Sequence, residues 1–336
     1  MSTPGEPPLV TVIMPIRNEE AFITRSLGAV LGQDYPADRM QVLVADGMSD
    51  DGTRSVIASL AEAHPQHAIE IVDNPGRIVP TGFNAALDRA RGDIVVRVDG
   101  HTIIDPDYVS ECVSALSESG ADNVGGRMDA VSDGPIGAAI ALATSSPFGV
   151  GDSQFHYAQG RHWVDSVYMG AWPRAVFDRV GGFDPEMVRN QDDEFNYRLG
   201  AQGGRILLTD RIRSRYYNRS SLTALFRQYR QYGHWKVRVL QKHPRQMSAR
   251  QFAPPALVAA LAGGALLAPF SRPVRRLWLA LVAAYGIANL GASVTLARRE
   301  GLRHMRLLPI VFGALHIGYG AGFLGGLVTF RNRWKR

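Results

Sequence analysis

Through the first 210 residues, short apolar runs alternate with segments whose apolar positions recur every three or four residues. The runs LVTVIMPI (9–16), MQVLVAD (40–46), AIEIVD (68–73) and DIVVRVD (93–99) have the length and β-branched content of buried strands. Segments near 19–32, 51–64 and 80–91 have helical period and length. This alternation predicts βαβ units and a mostly parallel sheet. Ligands of such sheets bind outside the carboxyl ends of the strands, and Asp46 and Asp99 stand at two of those ends. A further helix is expected over 105–117, started by Asp105 and Pro106. Within residues 127–170, the stretch SSPFGVGDSQFHYAQGRHW (145–163) reads as an irregular loop, and the segment is a candidate lid on the acceptor side.

The rear of the chain follows another pattern. Segments 252–270, 277–297 and 307–330 contain no Asp, Glu, Lys or Arg. A membrane span needs about 20 apolar residues, so the second and third qualify. The first, with Pro254, Pro255 and Pro269 at its ends, either spans or lies re-entrant. Buried helices of a soluble core are the competing reading. Ahead of these segments, 221–244 is amphipathic. Leu222, Leu225, Phe226, Tyr229, Tyr232, Trp235 and Val239 line one helical face, and Arg227, Arg230, Arg238 and Lys242 the opposite one. A basic amphipathic helix beside membrane segments is expected at the interface, against anionic headgroups. The pattern divides the chain into an α/β domain (1–215), a basic amphipathic interface region (216–250) and a membrane region with two or three spans (251–336).

Charge sharpens this division. Residues 1–210 hold 15 Lys and Arg against 30 Asp and Glu, whereas 211–336 hold 22 against the single acid Glu300. The mean hydropathy of −0.08 conceals the apolar rear behind the acidic front. Adjacent spans account for the basic charge, so no nucleic-acid partner is expected. Every rear connector is basic, so the positive-inside rule gives no clean orientation. The 11 Lys and Arg of 211–250, with no acid among them, favour a cytoplasmic front half on an inner membrane. The lone Cys112 excludes an internal disulfide and fits a reducing compartment. The start, MSTPGEPPLV, has neither a basic nor an apolar leader region, so no signal peptide is expected.

Candidate chemistry gathers at the predicted strand ends. PIRNEE (15–20) closes the first strand with Arg17 and Glu19 near the sheet edge. Asp46 is placed to accept an N–H from a base such as uracil, while Asp50 or Asp51 caps the next helix. Gly76 and Arg77 suit a phosphate. Asn84, costly inside a helix, would gain a purpose from a polar ligand. Asp99 and His101 are the types that hold a divalent ion across two phosphates, which neutralises charge on a leaving diphosphate. Two carboxylates would suit Mg2+, and imidazole tilts the preference towards Mn2+. A solvated turn before the 105–117 helix is the competing reading. In RNQDDEFNYRL (189–199), three acids crowd a helix start, with Asn190 as cap. They complement the helix dipole, or else Asp192 serves as a general base towards a hydroxyl.

In order and spacing, PIRNEE, VADGMSDDGT, NPGR, GFNAAL, ARGD, RVDGH, VGGFD and QDDEFNYRL resemble the family 2 glycosyltransferases over residues 9–200. The resemblance implies a GT-A fold, a nucleotide-diphosphate sugar donor, a divalent metal and inversion at the anomeric carbon. It places Pro15, Arg17, Glu19, Asp46, Arg77, Asn84 and Asp99 on the donor side. Asp99 and His101 would then be metal ligands, in the manner of the Asp-X-His variant of polypeptide N-acetylgalactosaminyltransferases. Asp192 would be the base, with Gln191 where the family usually has Glu. QYGHW (231–235) is similar to the Gln-X-X-Arg-Trp motif of processive relatives, with His234 in place of Arg. The acceptor side would comprise Trp172, Asp193, Gln231 and Trp235, though Trp172 also suits a core and Trp235 a membrane interface. NPGRIVPTGFN, VRVDGH and the three apolar segments resemble the succinoglycan-type exopolysaccharide glucosyltransferases. That implies transfer of a hexose, glucose from UDP-glucose, to a polyprenyl-diphosphate-linked glycan. Transfer to polyprenyl phosphate itself is the rival enzyme reading, and an inactive membrane-anchored scaffold is the rival of another class.

Overall fold

The apolar run at 9–16 becomes β1 (Val10–Ile16), buried at every residue. In chain order α1 (Ile23–Leu31), β2 (Met40–Asp46), α2 (Thr53–Ala63), β3 (Ala68–Asp73), α3 (Val79–Leu87), β4 (Ile94–Arg97), β5 (Thr102–Ile104), α4 (Tyr108–Ser119) and β6 (Asn123–Val131) follow. Then come α5 (Gly134–Thr144), α6 (Pro147–Val150), β7 (Arg161–Val164), β8 (Tyr168–Pro173), α7 (Ala175–Val180), α8 (Gln191–Ala201) and β9 (Ile206–Tyr217). The chain closes with α9 (Leu222–Lys242), α10 (Ala253–Leu267), α11 (Arg272–Glu300) and α12 (Leu308–Thr329). This computed structural model describes residues 6–132, 134–151, 153–217 and 221–334. The first five residues, part of the start read for a leader, and the last two, the end of the basic tail, lie outside the described residues.

The chain divides into two units, Met1–Asp129 with Ser153–Tyr217, and Ala130–Asp152 with Asn218–Arg336. In the first, the described strands form one sheet in the order β3-β2-β1-β4-β8-β6-β9-β5, with β7 on β9. β3, β2, β1 and β4 pair in parallel, as the βαβ pattern predicts. From β8 onward the pairs described are antiparallel. Side-chain alternation sends Val10, Val12, Met14, Val96 and Val98 to one core with α1, α2 and α4. Ile13, Leu43 and Val95 join the other, with Phe83 of α3, Phe177 of α7 and Phe195 of α8. Gly52, not Asp50 or Asp51, holds the N-cap position of α2. Asp51 accepts from the backbone N and the hydroxyl of Thr53 at the start of α2, while Asp50 is tied to Asn18.

Three segments take a more definite form than their pattern shows. The stretch 145–163 is not one irregular loop: it contains α6 and the start of β7; before it lie the end of β6 and α5, and residues 130–152 belong with the rear of the chain. Segment 252–270 forms the 15-residue α10, about 22 Å long at 1.5 Å per residue and short of the ~30 Å hydrocarbon core. Two described helices, α11 and α12, are long and apolar enough to be candidate spans. Finally, the amphipathic segment forms α9. It packs along α12 in parallel, because Gly318, Gly322 and Gly326 admit the backbone of Phe226, Arg230 and His234. A Cβ on Gly322 would lie 1.9 Å from the Arg230 carbonyl oxygen. The four-residue spacing on both helices is the small-residue ridge of close helix pairs. Arg238, expected on the polar face, is buried with Lys236. Its guanidinium donates to Gln241 Oε1 at 2.5 Å and lies 5.8 Å from the Phe330 ring.

Within the same unit, α11 meets α12 through polar side chains. Tyr285 Oη is 3.1 Å from His316 Nδ1, and Asn289 Nδ2 donates to the Pro309 carbonyl at 3.0 Å. The other His316 nitrogen, Nε2, is 2.8 Å from the Phe148 carbonyl oxygen. These bonds tie α11 to α12 and α12 to the Phe148 backbone.

Candidate active site

At the carboxyl end of the parallel strands the backbone is forced into unusual conformations. The non-glycine residues with positive φ among those described are Asn18, Met48, Arg77, Met169 and Asn190, at 53°, 56°, 58°, 59° and 61°. The first three follow β1, β2 and β3. Met169 accepts the Asp99 backbone N–H at its sulfur, 3.4 Å away, and Asn190 immediately precedes α8. Left-handed backbone at side chains with a Cβ is costly and concentrates at functional sites. Asn190 holds the N-cap position as expected, but its side chain makes no cap hydrogen bond.

β4 sets the chemistry. Alternation places Val95, Arg97 and Asp99 towards one face of the sheet, which α8 covers. Arg97 is only 2% exposed. Its Nε donates to Asp99 Oδ1 at 2.8 Å, and its Nη1 donates to Asp192 Oδ1. The guanidinium also lies 5.8 Å from the Phe183 ring. A buried cation is tolerated only when paired, and two carboxylates pair this one. Burial opposes its charge, but Asp192 and Asp99 outweigh burial and hold Arg97 above its ordinary pKa. The Tyr168 hydroxyl donates to Asp99 Oδ2 at 3.3 Å and is 2.7 Å from Thr102 Oγ1. Burial, then the charge of Asp99, push the Tyr168 phenol up, so it stays a donor.

Asp192 sits in the first turn of α8 with its side chain 27% exposed. Burial pushes its carboxyl up to about 6 against the pull of Arg97, and the Asp99 and Asp193 carboxylates add to the rise. Near neutral pH it is therefore mostly ionised yet basic enough to take a proton, the balance a general base needs.

His101 Nδ1 is 3.1 Å from Glu19 Oε1, and its ring meets Tyr216 edge-on at 5.1 Å. With Nδ1–H donated to Glu19, Nε2 carries the lone pair, the arrangement by which a carboxylate orients a metal-binding imidazole. No cluster of three His, Cys, Asp or Glu with ligand spacing occurs among the described residues. A pair of ligands such as the resemblance implies, Asp99 and His101, would leave the remaining positions of a divalent ion to phosphate oxygens and water.

Other expected site residues fall less simply. Pro15 is buried on β1 opposite Ala45, while Arg17 and Arg77 are exposed beyond β1 and β3. Asp46 is fully buried. Its Oδ1 accepts from the Ser49 hydroxyl, and its Oδ2 accepts from the Ser49 backbone N at 3.1 Å and from Arg54 Nε at 2.5 Å. These bonds organise the loop after β2. Asn84 needs no ligand to explain it. Its amide donates to the Phe183 carbonyl at 2.7 Å and accepts the Phe183 N–H at 2.9 Å. Trp172 is 1% exposed and packs edge-on against Phe83, Phe183 and Phe195. It fills the core and presents no face to a sugar. Asp193 adjoins Asp192 on α8. Gln231 and Trp235 belong to α9 in the second unit, where Trp235 packs on Phe330 at 5.4 Å. Arg97 is the site residue that the sequence pattern passes over. Its signal is a cation at a core-facing position of an otherwise apolar strand.

The model of glycosyl transferase family 2 matches residues 11–181. Succinoglycan biosynthesis protein ExoA of Rhizobium meliloti (strain 1021) is 32% identical over 326 residues, 96% of each chain. The dolichyl N-acetyl-alpha-D-glucosaminyl phosphate 3-beta-D-2,3-diacetamido-2,3-dideoxy-beta-D-glucuronosyltransferase of Methanococcus voltae is 28% identical over 239 residues, 69% of this chain and 74% of that protein. Mannosyltransferase PcManGT from Pyrobaculum calidifontis, solved with GDP-Man and Mn2+, has a TM-score of 0.59 at 22% identity, covering 94% of this chain and 88% of that one. The likeness shows the GT-A fold that the motifs imply. With its sheet, its strand-end motifs and a relative of this similarity along nearly its whole length, the chain belongs to glycosyl transferase family 2.

Proposed function

We propose that the chain inverts a sugar centre in one displacement, moving a hexose from a UDP-sugar to a lipid-linked glycan in exopolysaccharide or cell-envelope synthesis. The observation that carries this is the pairing of Asp192 with Arg97, which holds a partly exposed carboxylate beside Asp99. Asp192 takes the proton of the acceptor hydroxyl as its oxygen attacks the anomeric carbon. Asp99 and His101 would hold the divalent ion, which when bound supplies positive charge to the departing diphosphate. Glu19 orients His101, and Tyr168 orients Asp99. The similarity to ExoA supports exopolysaccharide synthesis, and the name of the M. voltae relative supports a lipid-linked acceptor. α11 and α12 support attachment to the membrane, and the basic 211–250 stretch supports a cytoplasmic catalytic half.

The test uses the full chain purified in detergent. UDP, GDP, TDP and CMP are titrated by calorimetry, each with Mn2+, Mg2+ or a chelator. Metal-dependent, UDP-selective binding is expected, followed by transfer from UDP-glucose to a polyprenyl-diphosphate-linked acceptor. GDP selectivity would overturn the donor. Asp192→Asn that still transfers to polyprenyl phosphate would replace the acceptor, since an anionic nucleophile needs no base. Absence of nucleotide binding under every condition would make the chain a membrane scaffold.

A further inference from the structure

From the geometry around β4 we infer that Arg97 is a positioning residue that couples the donor-side carboxylate Asp99 to the acceptor-side base Asp192. One guanidinium serves both, through Nε to Asp99 and Nη1 to Asp192. It is buried, so water cannot replace either partner. The two carboxylates therefore compete for one cation. Whatever draws charge away from Asp99 tightens the hold of Arg97 on Asp192, and loss of Asp192 leaves Arg97 to Asp99 alone.

The planar fork of Arg97 also fixes orientation. With Oδ1 of Asp192 taken by Arg97, Oδ2 of the partly exposed carboxylate is left for the acceptor hydroxyl. A third group that orients a base is a recurring device of enzyme sites. Here the orienting group is itself anchored to the donor side, so the base is held in register with the bond to be broken. Lys cannot reproduce this, because a single ammonium lacks the rigid two-sided fork.

The inference rests on the proposed donor site, and two measurements separate them. The first needs no ligand. Thermal unfolding is compared for the full chain, Asp99→Asn, Asp192→Asn and the double variant. With a shared cation, either single loss leaves Arg97 one carboxylate, while the double loss strands a buried charge. The double variant is expected to lose more thermal midpoint than the two singles together. Additive losses would overturn the bridge.

The second measurement reads function. Binding of UDP with Mn2+ is measured by calorimetry for wild type, Asp192→Asn, Arg97→Gln and Arg97→Gln/Asp192→Asn. Asp192→Asn is expected to weaken binding about three- to tenfold in the wild-type background, since Arg97 then competes fully for Asp99, and to have no effect beside Arg97→Gln; coupling of this size is typical of groups in one ion-pair network. A purely structural Arg97 would leave the effect of Asp192→Asn the same in both backgrounds, and that result overturns the inference. If Arg97→Gln does not fold, Arg97→Lys runs the same cycle and is expected to keep the fold but lose the coupling. Wild-type protein that binds no nucleotide overturns the donor site and the inference together. Binding without coupling overturns the inference alone.

Discussion

Removing the proton acceptor at Asp192 should abolish transfer while leaving nucleotide binding measurable. Asp192→Asn keeps the size of the side chain and its place beside Arg97, but an amide cannot accept the hydroxyl proton. General-base catalysis contributes about 10²- to 10⁴-fold, equivalent to about 3–5 kcal/mol of barrier. The wild-type carboxyl, pushed up to about 6, adds a pH signature. The base works when ionised, so activity rises with pH through that value. About nine-tenths of the enzyme is competent at pH 7 and about one-tenth at pH 5, a roughly tenfold fall on the acid side. The quantity to follow is kcat/KM, which reports the free enzyme. The assay is release of the nucleoside diphosphate, with saturating metal and limiting acceptor, between pH 4.5 and 8. Asp192→Asn should lack the acid limb as well as the rate. Turnover of Asp192→Asn within tenfold of wild type, or an acid limb that survives the substitution, would refute Asp192 as the base.

Three further perturbations separate readings that the site leaves side by side. Trp172→Ala should lower stability by about 3–5 kcal/mol, as for other buried aromatics, with a fall in thermal midpoint; unchanged stability with a raised acceptor KM would return Trp172 to the acceptor. Gly322→Ala should break the α9–α12 contact at a cost of at least 1–3 kcal/mol, roughly the overpacking penalty, whereas Gly325→Ala, with nothing within 4 Å of its added Cβ, should be tolerated; thermal unfolding in detergent compares them. His101→Asp should move the metal that best supports UDP binding from Mn2+ towards Mg2+, and an unchanged metal profile would remove His101 from the ligand set.

The parallel half of the sheet is legible because strands buried on both faces must be apolar along their length, and β1, β2 and β4 are buried throughout. The antiparallel half lacks that signature. β7 reads RHWV with its first three residues exposed, and Arg211, Arg213 and Arg215 of β9 flank only Ile212 and Ser214, where charge draws the eye to the rear of the chain. α5 is mostly Gly, Ala and Ile, too short to suggest a span and too uniform to show a face. The site divides along the same physical line. Strand ends, the acid cluster on α8 and the Asp-X-His pair are local patterns, and each is visible alone. What organises them is not local. Asn84 is explained by Phe183, 99 residues away, and the second carboxylate on Arg97 is Asp192, 95 residues away. An arginine in a buried strand is a conflict between residue and environment, and such conflicts persist where function or a distant partner resolves them. Here the partner is the proposed base, so the residue least at home in the strand pattern is the one that bonds both carboxylates of the proposed site.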